Sequence, residues 1–398
     1  MTILSERARR IAPSATMAMD AKTKELLRQG VDVVNFTVGE PDFDTPAHVK
    51  KAAVEAINAG FNKYTPVAGI PELKEAVCYK FKRDNGLTYT PAEIAVSIGA
   101  KHSLYNIFQV LLDPGDEVII PAPYWVSYLE QVKVADGCPV VLSSREEQGF
   151  RLDAAQIKEV LTPRTKALIL NSPSNPTGCV YSRRQLEEIA ALAVEKQFFV
   201  ISDEVYEPFI YSDTGHVSIA QISPEVKEMT LIVHGLSKSH SMTGWRIGYT
   251  AGRKEIIAAI SSLQSHSTSN PASMAQKAAV VALTGSQDSV TEMREAFRRR
   301  RDIIVKRLNS IPGLSCRLPE GAFYVFPNIS KLFGRRYKGQ TVADSMQLAE
   351  LLLTEAHVAT VPGSAFGAEG YLRISYATSE ANIEKGLDRI AAFVAALE

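Results

Sequence analysis

The sequence predicts an α/β protein whose larger part is a mostly parallel, doubly wound sheet flanked by helices, followed by a smaller α+β part. Three observations lead there. Between residues 90 and 252 short apolar runs recur: "EIAVSIG", "DEVIIPAP", "PVVLSS", "KALILNSP", "FFVISDE", "TLIVHGLS" and "RIGYTAG". Their length, their Val and Ile content and their Gly or Pro borders are those of buried strands. Helical patterns such as "HSLYNIFQVLL" and "SRRQLEEIAALAVEK" fall between several of them, and such alternation builds a parallel sheet. From about residue 272 the pattern turns helical and then mixed.

Taken in order, residues 1–47 include the Pro- and Gly-bearing stretch "VGEPDFDTP" and are expected to pack with the small domain rather than fold alone. Residues 48–290 form the large domain that carries the strands. "MAQKAAVVALTG" and "SVTEMREAFRRRRDIIVKRL", between about 272 and 311, read as connecting helices. The small α+β domain, residues 291–398, takes strands from "GAFYVFPNI" and "YLRISYAT" and helices from "VADSMQLAELLLTEA" and "SEANIEKGLDRIAAFVAAL".

Composition narrows the function. At 398 residues, 45% of them hydrophobic, the chain exceeds what one compact core usually takes, hence two domains. Lysine plus arginine number 44, as do aspartate plus glutamate, so no net field draws the protein to nucleic acid or to an anionic membrane. A small molecule is the expected partner. The run Arg298–Arg301 reads as a solvated or paired helix face. Cys78, Cys138, Cys179 and Cys316 stand apart without a CxxC pair; they read as buried thiols, with neither a zinc site nor a disulfide framework. No stretch approaches the roughly eighteen apolar residues of a membrane span, and the N-terminus lacks an apolar signal core. A cytoplasmic protein is expected.

In an open α/β sheet ligands sit beyond the carboxyl ends of the strands, so polar residues that directly follow apolar runs are the candidates. After "AVSI" comes Gly99-Ala100-Lys101 and a helix start, whose free N–H groups and dipole suit a phosphate. Asn175 stands before Pro176 in a turn after "LIL", where a cis bond is allowed. Asp203 ends the most apolar strand; it is either a helix N-cap or a buried carboxylate that needs a cation or strong donor. Tyr206 follows three residues later, suited to a first helical turn. After "LIVHGL" come Ser237 and Lys238, with Arg246 close behind to add a forked cation. A lysine at that place would be desolvated and nucleophilic. Amine, phosphate seat, buried carboxylate and Asn plus Tyr donors are together the needs of pyridoxal phosphate. Nucleotide-binding fingerprints are missing: no GxGxxG follows a strand, "GLSKS" lacks the glycine of GxxxxGK[ST], and it does not meet the GxSxG of serine hydrolases.

These residues also carry a likeness. The chain resembles fold type I pyridoxal-phosphate enzymes, specifically class I aminotransferases, and among them the bacterial aspartate aminotransferases. The resemblance runs through "VGEPDFDTP", "KYTPVAGIPELKEAV", "DPGDEVIIPAPYWVSY", "NSPSNPTG", "SDEVYEPFIY", "SKSHSMTGWRIGY", "GAFYVF", "VPGSAFG" and "LRISYATS". It implies that Lys238 is the Schiff-base lysine, Asp203 the partner of the pyridine nitrogen, and Asn175 and Tyr206 partners of the phenolic oxygen. Trp125 would stack on the ring. Gly99, Ala100, Lys101, Ser237 and Arg246 would hold the phosphate, with Tyr64 reaching in from the other subunit of a homodimer. Arg373 would fork the substrate α-carboxylate, with Gly39 letting the backbone approach it. Lys101, helped by Thr16 and Ser14, would take a second carboxylate. The implied reaction is ping-pong transfer of the amino group of L-aspartate to 2-oxoglutarate, with prephenate or an aromatic amino acid as alternative substrates.

Overall fold

A computed structural model describes residues 3–12, 15–212 and 215–398, without the side chains of 15–18. Every apolar run named above becomes a strand of one sheet: β1 (Ile94–Ile98), β2 (Glu117–Ala122), β3 (Cys138–Ser143), β4 (Thr165–Asn171), β5 (Phe199–Asp203), β6 (Thr230–Gly235) and β7 (Ile247–Ala251). Their spatial order is β1-β7-β6-β5-β4-β2-β3. From β6 to β3 all neighbours are parallel, whereas β7 runs antiparallel to both β6 and β1. Burial follows position. Central β6 is buried at every residue, because helices cover both faces of a parallel sheet. Edge strand β3 is half-exposed along its length, and there Cys138 is exposed. The expectation of four buried thiols is therefore corrected: Cys179 and Cys316 are buried, Cys78 is intermediate, and all four are free.

A second core gathers the chain's beginning and end. Val34–Asn35 pairs in parallel with Val358–Ala359. β8 (Tyr324–Val325), β9 (Val361–Pro362) and β10 (Leu372–Ser375) form an antiparallel set with β10 in the middle. Met19, Val34 and Phe36 share this core with Phe297, Leu352, Leu387 and Phe393. The closing helix Glu380–Ala395 buries Ile383, Leu387, Ile390, Phe393 and Val394, one stripe at helical spacing, and Ser379 caps it by accepting from Asn382 N at 3.2 Å.

The helix Asp288–Leu308 buries Met293, Phe297 and Ile304 in this same core. Its arginine run divides by face. Arg298 and Arg299 are exposed, whereas Arg300 forks Asp42 at 2.7 and 3.0 Å and lies over Phe43, and Arg301 lies over Tyr211. The run is thus paired or solvated, as expected. Among the described residues no helix is long and apolar enough to cross a membrane.

Candidate active site

Each parallel strand ends at one edge of the sheet and delivers there the residue that follows it. Gly99 follows β1, Trp125 lies just past β2, Asn175 past β4, Asp203 closes β5, and Lys238 sits in the short helix Leu236–Ser239 after β6. Because β7 runs the other way, the residue before it, Arg246, arrives at the same edge. The register pairs Ile98–Ile247 and Gly235–Gly248 fix that placement. A cavity of about 610 Å³ opens there. Of the expected site residues, Gly39, Ala100, Lys101, Trp125, Asn175, Asp203, Tyr206, Ser237, Lys238, Arg246 and Arg373 line it.

Tyr64 does not; it is 90% exposed on the outer surface of its own chain. Thr16 lies in the helix Ala15–Arg28, which reaches the cavity through Asp20, Lys24 and Leu27, but its side chain falls outside the described residues, as does Ser14 altogether. Tyr206 sits on a turn rather than a first helical turn. Asp203 Oδ1 accepts from Val205 N at 3.3 Å, a local cap-like bond, while the carboxylate stays buried. The Asn175–Pro176 bond is cis.

The cavity is rich in cations. Lys238 Nζ donates to Gly39 O at 2.5 Å. Desolvation, with the charges of Arg246 and Arg373 beside it, brings its pKa down to about 8, although Glu40 pulls the other way. Burial, then Arg246, also lowers Lys101, whose ammonium lies 4.9 Å over the Trp125 ring. Among the described residues Arg246 donates only to carbonyls, Thr243 O at 2.8 Å and Ile98 O at 3.3 Å. Its guanidinium fills the place a Cβ on Gly99 would take, and Gly99 holds φ +82° at the uncapped start of the helix Ala100–Leu111. Only glycine adopts that angle freely, and while His102 N already donates to Gly99 O at 2.9 Å, the N–H groups of Ala100 and Lys101 lie too early in the helix to find an intrahelical acceptor.

Asp203 is buried, and burial raises its pKa. Its Oδ2 accepts from the Tyr128 hydroxyl at 2.7 Å, but among the described residues no cation pairs with it. Arg373 is the mirror case. This buried guanidinium donates to Asn175 Oδ1 at 3.1 Å and to Thr37 O at 2.6 Å, lies over Tyr324 and Phe366, and has no carboxylate partner among the described residues. Its Nε is buried and unpartnered, and desolvation lowers its pKa. A buried cation without an anion and a buried anion without a cation are both costly, and a ligand that bears both charges relieves both.

Two further tyrosines hold the site together. Tyr128 holds Asp203, and Tyr324 holds the Tyr206 hydroxyl at 2.7 Å. Both stand inside motifs quoted above, "PYWVSY" and "GAFYVF", but a tyrosine within an apolar run carries no mark that separates a donor from packing. Behind the site lies an unexpected charge network. Buried Glu207 accepts from Lys80, from Asn85 Nδ2 at 2.8 Å and faces His234 Nε2 at 2.9 Å. Glu204 accepts from Ser202 and Ser218 and faces His216 at 2.9 Å. These bonds fix the turn that follows Asp203 and bears Tyr206.

Comparison with known proteins gives a consistent picture. Residues 31–390 match the family model for Aminotransferase class I and II. An aspartate aminotransferase of Bacillus sp. (strain YM-2) is 52% identical, over 98% of this chain and 99% of its own. An aspartate/prephenate aminotransferase of Thermus thermophilus is 50% identical over 98% of each chain. The crystal structure of the aspartate aminotransferase from Rhizobium meliloti superposes with a TM-score of 0.97 at 45% identity, covering 100% of both chains.

Proposed function

This chain belongs to the class I and II aminotransferases, and on that premise we propose that it moves the amino group of L-aspartate to 2-oxoglutarate with pyridoxal 5′-phosphate as its cofactor. One observation carries the reading. One cavity holds a desolvated amine, Lys238, together with a buried carboxylate, Asp203, that has no cation and a buried guanidinium, Arg373, that has no carboxylate among the described residues. An aldehyde, a protonated ring nitrogen and a substrate α-carboxylate meet those three needs.

The residues fit the cofactor. The uncapped helix start at Gly99–Lys101, with Ser237 and Arg246, offers donors and positive charge to a phosphate. Asp203 would face the ring nitrogen, Asn175 and Tyr206 the phenolic oxygen, and Trp125 the ring face. When bound, pyridoxal phosphate supplies a carbonyl carbon for amines and a ring that takes up the electron pair left at Cα.

The protein's own part is to bind, orient and move protons. Arg373 grips the α-carboxylate in a fork. Lys238, as a free amine, would take the Cα proton and deliver it to the carbon on the far side of the amino nitrogen. With a pKa of about 8, roughly one such amine in ten is neutral at pH 7, against a few in ten thousand for an ordinary lysine. Asp203, held by Tyr128, keeps negative charge opposite the ring nitrogen. Lys101 would meet the second carboxylate of aspartate, with Thr16 and Ser14 beside it. The second half-reaction repeats these roles with the 2-oxo acid. Tyr64, exposed and away from its own cavity, would complete the partner's phosphate seat in a homodimer. The names of the relatives support aspartate as donor, and those named for prephenate make prephenate the alternative acceptor.

The test is spectroscopic. Protein loaded with pyridoxal phosphate should show a visible band that fades with L-aspartate and returns with 2-oxoglutarate or prephenate, whichever is the acceptor. Lys238→Ala should lose the band and the turnover while its unfolding midpoint stays within a few degrees. A band indifferent to aspartate refutes the substrate, and no band at all refutes the cofactor.

A further inference from the structure

Tyr324 stands where the two halves of the site meet. It is buried at 1% exposure in β8, paired through Ser375 with β10, the strand that carries Arg373. Three contacts define it. Its hydroxyl lies 2.7 Å from the Tyr206 hydroxyl. Its ring face lies 4.6 Å under the Arg373 guanidinium. Its hydroxyl also occupies the space a side chain on Gly39 would need, 2.6 Å from an added Cβ. The glycine is therefore required by Tyr324, beyond any approach of substrate, and Gly39 O is in turn the acceptor for Lys238.

We propose that Tyr324 is a positioning residue that couples the cofactor side of the site, through Tyr206, to the substrate-carboxylate side, through Arg373; this rests on the function proposed above. The hydrogen bond has a direction once Tyr206 gives its own proton to the cofactor's phenolic oxygen. Tyr206 can then only accept from Tyr324, which completes a chain of two hydroxyls that polarise one another. The ring acts separately. It holds the guanidinium flat, with its fork turned to the cavity, by a cation–π contact shielded from water.

The two functions of one side chain separate by substitution. Tyr324→Phe keeps the ring and removes the hydroxyl. The Tyr206 donation weakens, more negative charge stays on the phenolic oxygen, and the adjoining lysine nitrogen holds its proton more tightly. In the loaded enzyme without substrate, the pH midpoint of the visible band should rise by roughly 0.3 to 1 unit, while the dissociation constant for maleate, an unreactive dicarboxylate, stays within about twofold. Tyr324→Leu removes both features, so the midpoint should rise likewise and maleate affinity should fall about 3- to 30-fold. A midpoint unchanged in Tyr324→Phe, in a wild-type protein that itself shows the band, overturns the coupling and leaves the function standing. Unchanged maleate affinity in Tyr324→Leu overturns the role toward Arg373. A wild-type protein without any band removes the function and this proposal with it.

Discussion

Arg373→Lys keeps a positive charge at the same place and removes the geometry. The guanidinium holds Asn175 Oδ1 and Thr37 O at once, from two nitrogens, and lies over the rings of Tyr324 at 4.6 Å and Phe366 at 5.2 Å. A lysine ammonium is a point donor with no plane to stack. The change costs one charge-assisted hydrogen bond to the substrate carboxylate, about 1.5–3 kcal/mol, and part of the ring contact, about 0.5–1 kcal/mol. Together these amount to about 2–4 kcal/mol, or roughly a 30- to 900-fold loss in kcat/KM for L-aspartate. The carboxylate is held alike before and during proton transfer, so most of the loss should appear in KM. Initial rates over a range of L-aspartate at fixed 2-oxoglutarate measure it, with the visible band of the loaded enzyme as control. A kcat/KM within about fivefold of wild type would refute the fork.

Three further predictions concern the surroundings. Lys80→Met should leave Glu207 buried with only His234 and Asn85, at a cost of about 3 kcal/mol or more. Scanning calorimetry should show a Tm several degrees lower, and an unchanged Tm would remove the pair from the stability account. Burial alone would raise the Glu207 pKa, but the Lys80 charge and the His234 bond hold it well below the ordinary value of 4.5. A depressed carboxylate gives its stability above the unfolded pKa and loses it as pH falls toward the folded one. The wild-type Tm should therefore begin to fall below about pH 4.5, and Lys80→Met should fall less steeply there. Gly99→Ala forces a residue with Cβ to φ +82° and drives a methyl into Arg246, so pyridoxal phosphate affinity should drop about tenfold or more; equal affinity by fluorescence titration would detach Gly99 from the phosphate seat.

Much of this was legible in the chain. Strands β1 to β7 announce themselves because buried parallel strands need unbroken β-branched runs, and the residues that follow them fall at one edge by topology alone. Arg246 shows the limit of that rule. It precedes its strand, and only the antiparallel direction of β7 brings it to the others. The network of Lys80, Asn85, Glu207 and His234 was not legible, since its members lie up to 154 positions apart in the numbering and each alone reads as a surface charge. Tyr128 and Tyr324 sit in apolar surroundings where a hydroxyl is invisible to periodicity. "GAFYVF" reads as a full strand, yet only Tyr324–Val325 pairs as one, because Gly321 bridges Ile210 instead and the turn at Ala322–Phe323 and the loop at Phe326–Pro327 claim the rest. Cys138 misled because β3 is an edge strand, and an edge is a property of the assembled sheet.

The pairing of Val34–Asn35 with Val358–Ala359 and the reach of Arg373 to Thr37 O have a consequence for how the molecule comes into being. During synthesis Lys238, Asp203 and the helix start at Gly99 emerge well before Arg373. On the roles proposed above, an emerging chain would hold the amine and the anion seat before it holds the guanidinium that grips a substrate. Recognition of an amino acid would then wait until the last strands leave the ribosome and reach back to the first. An enzyme built this way begins work only when it is whole.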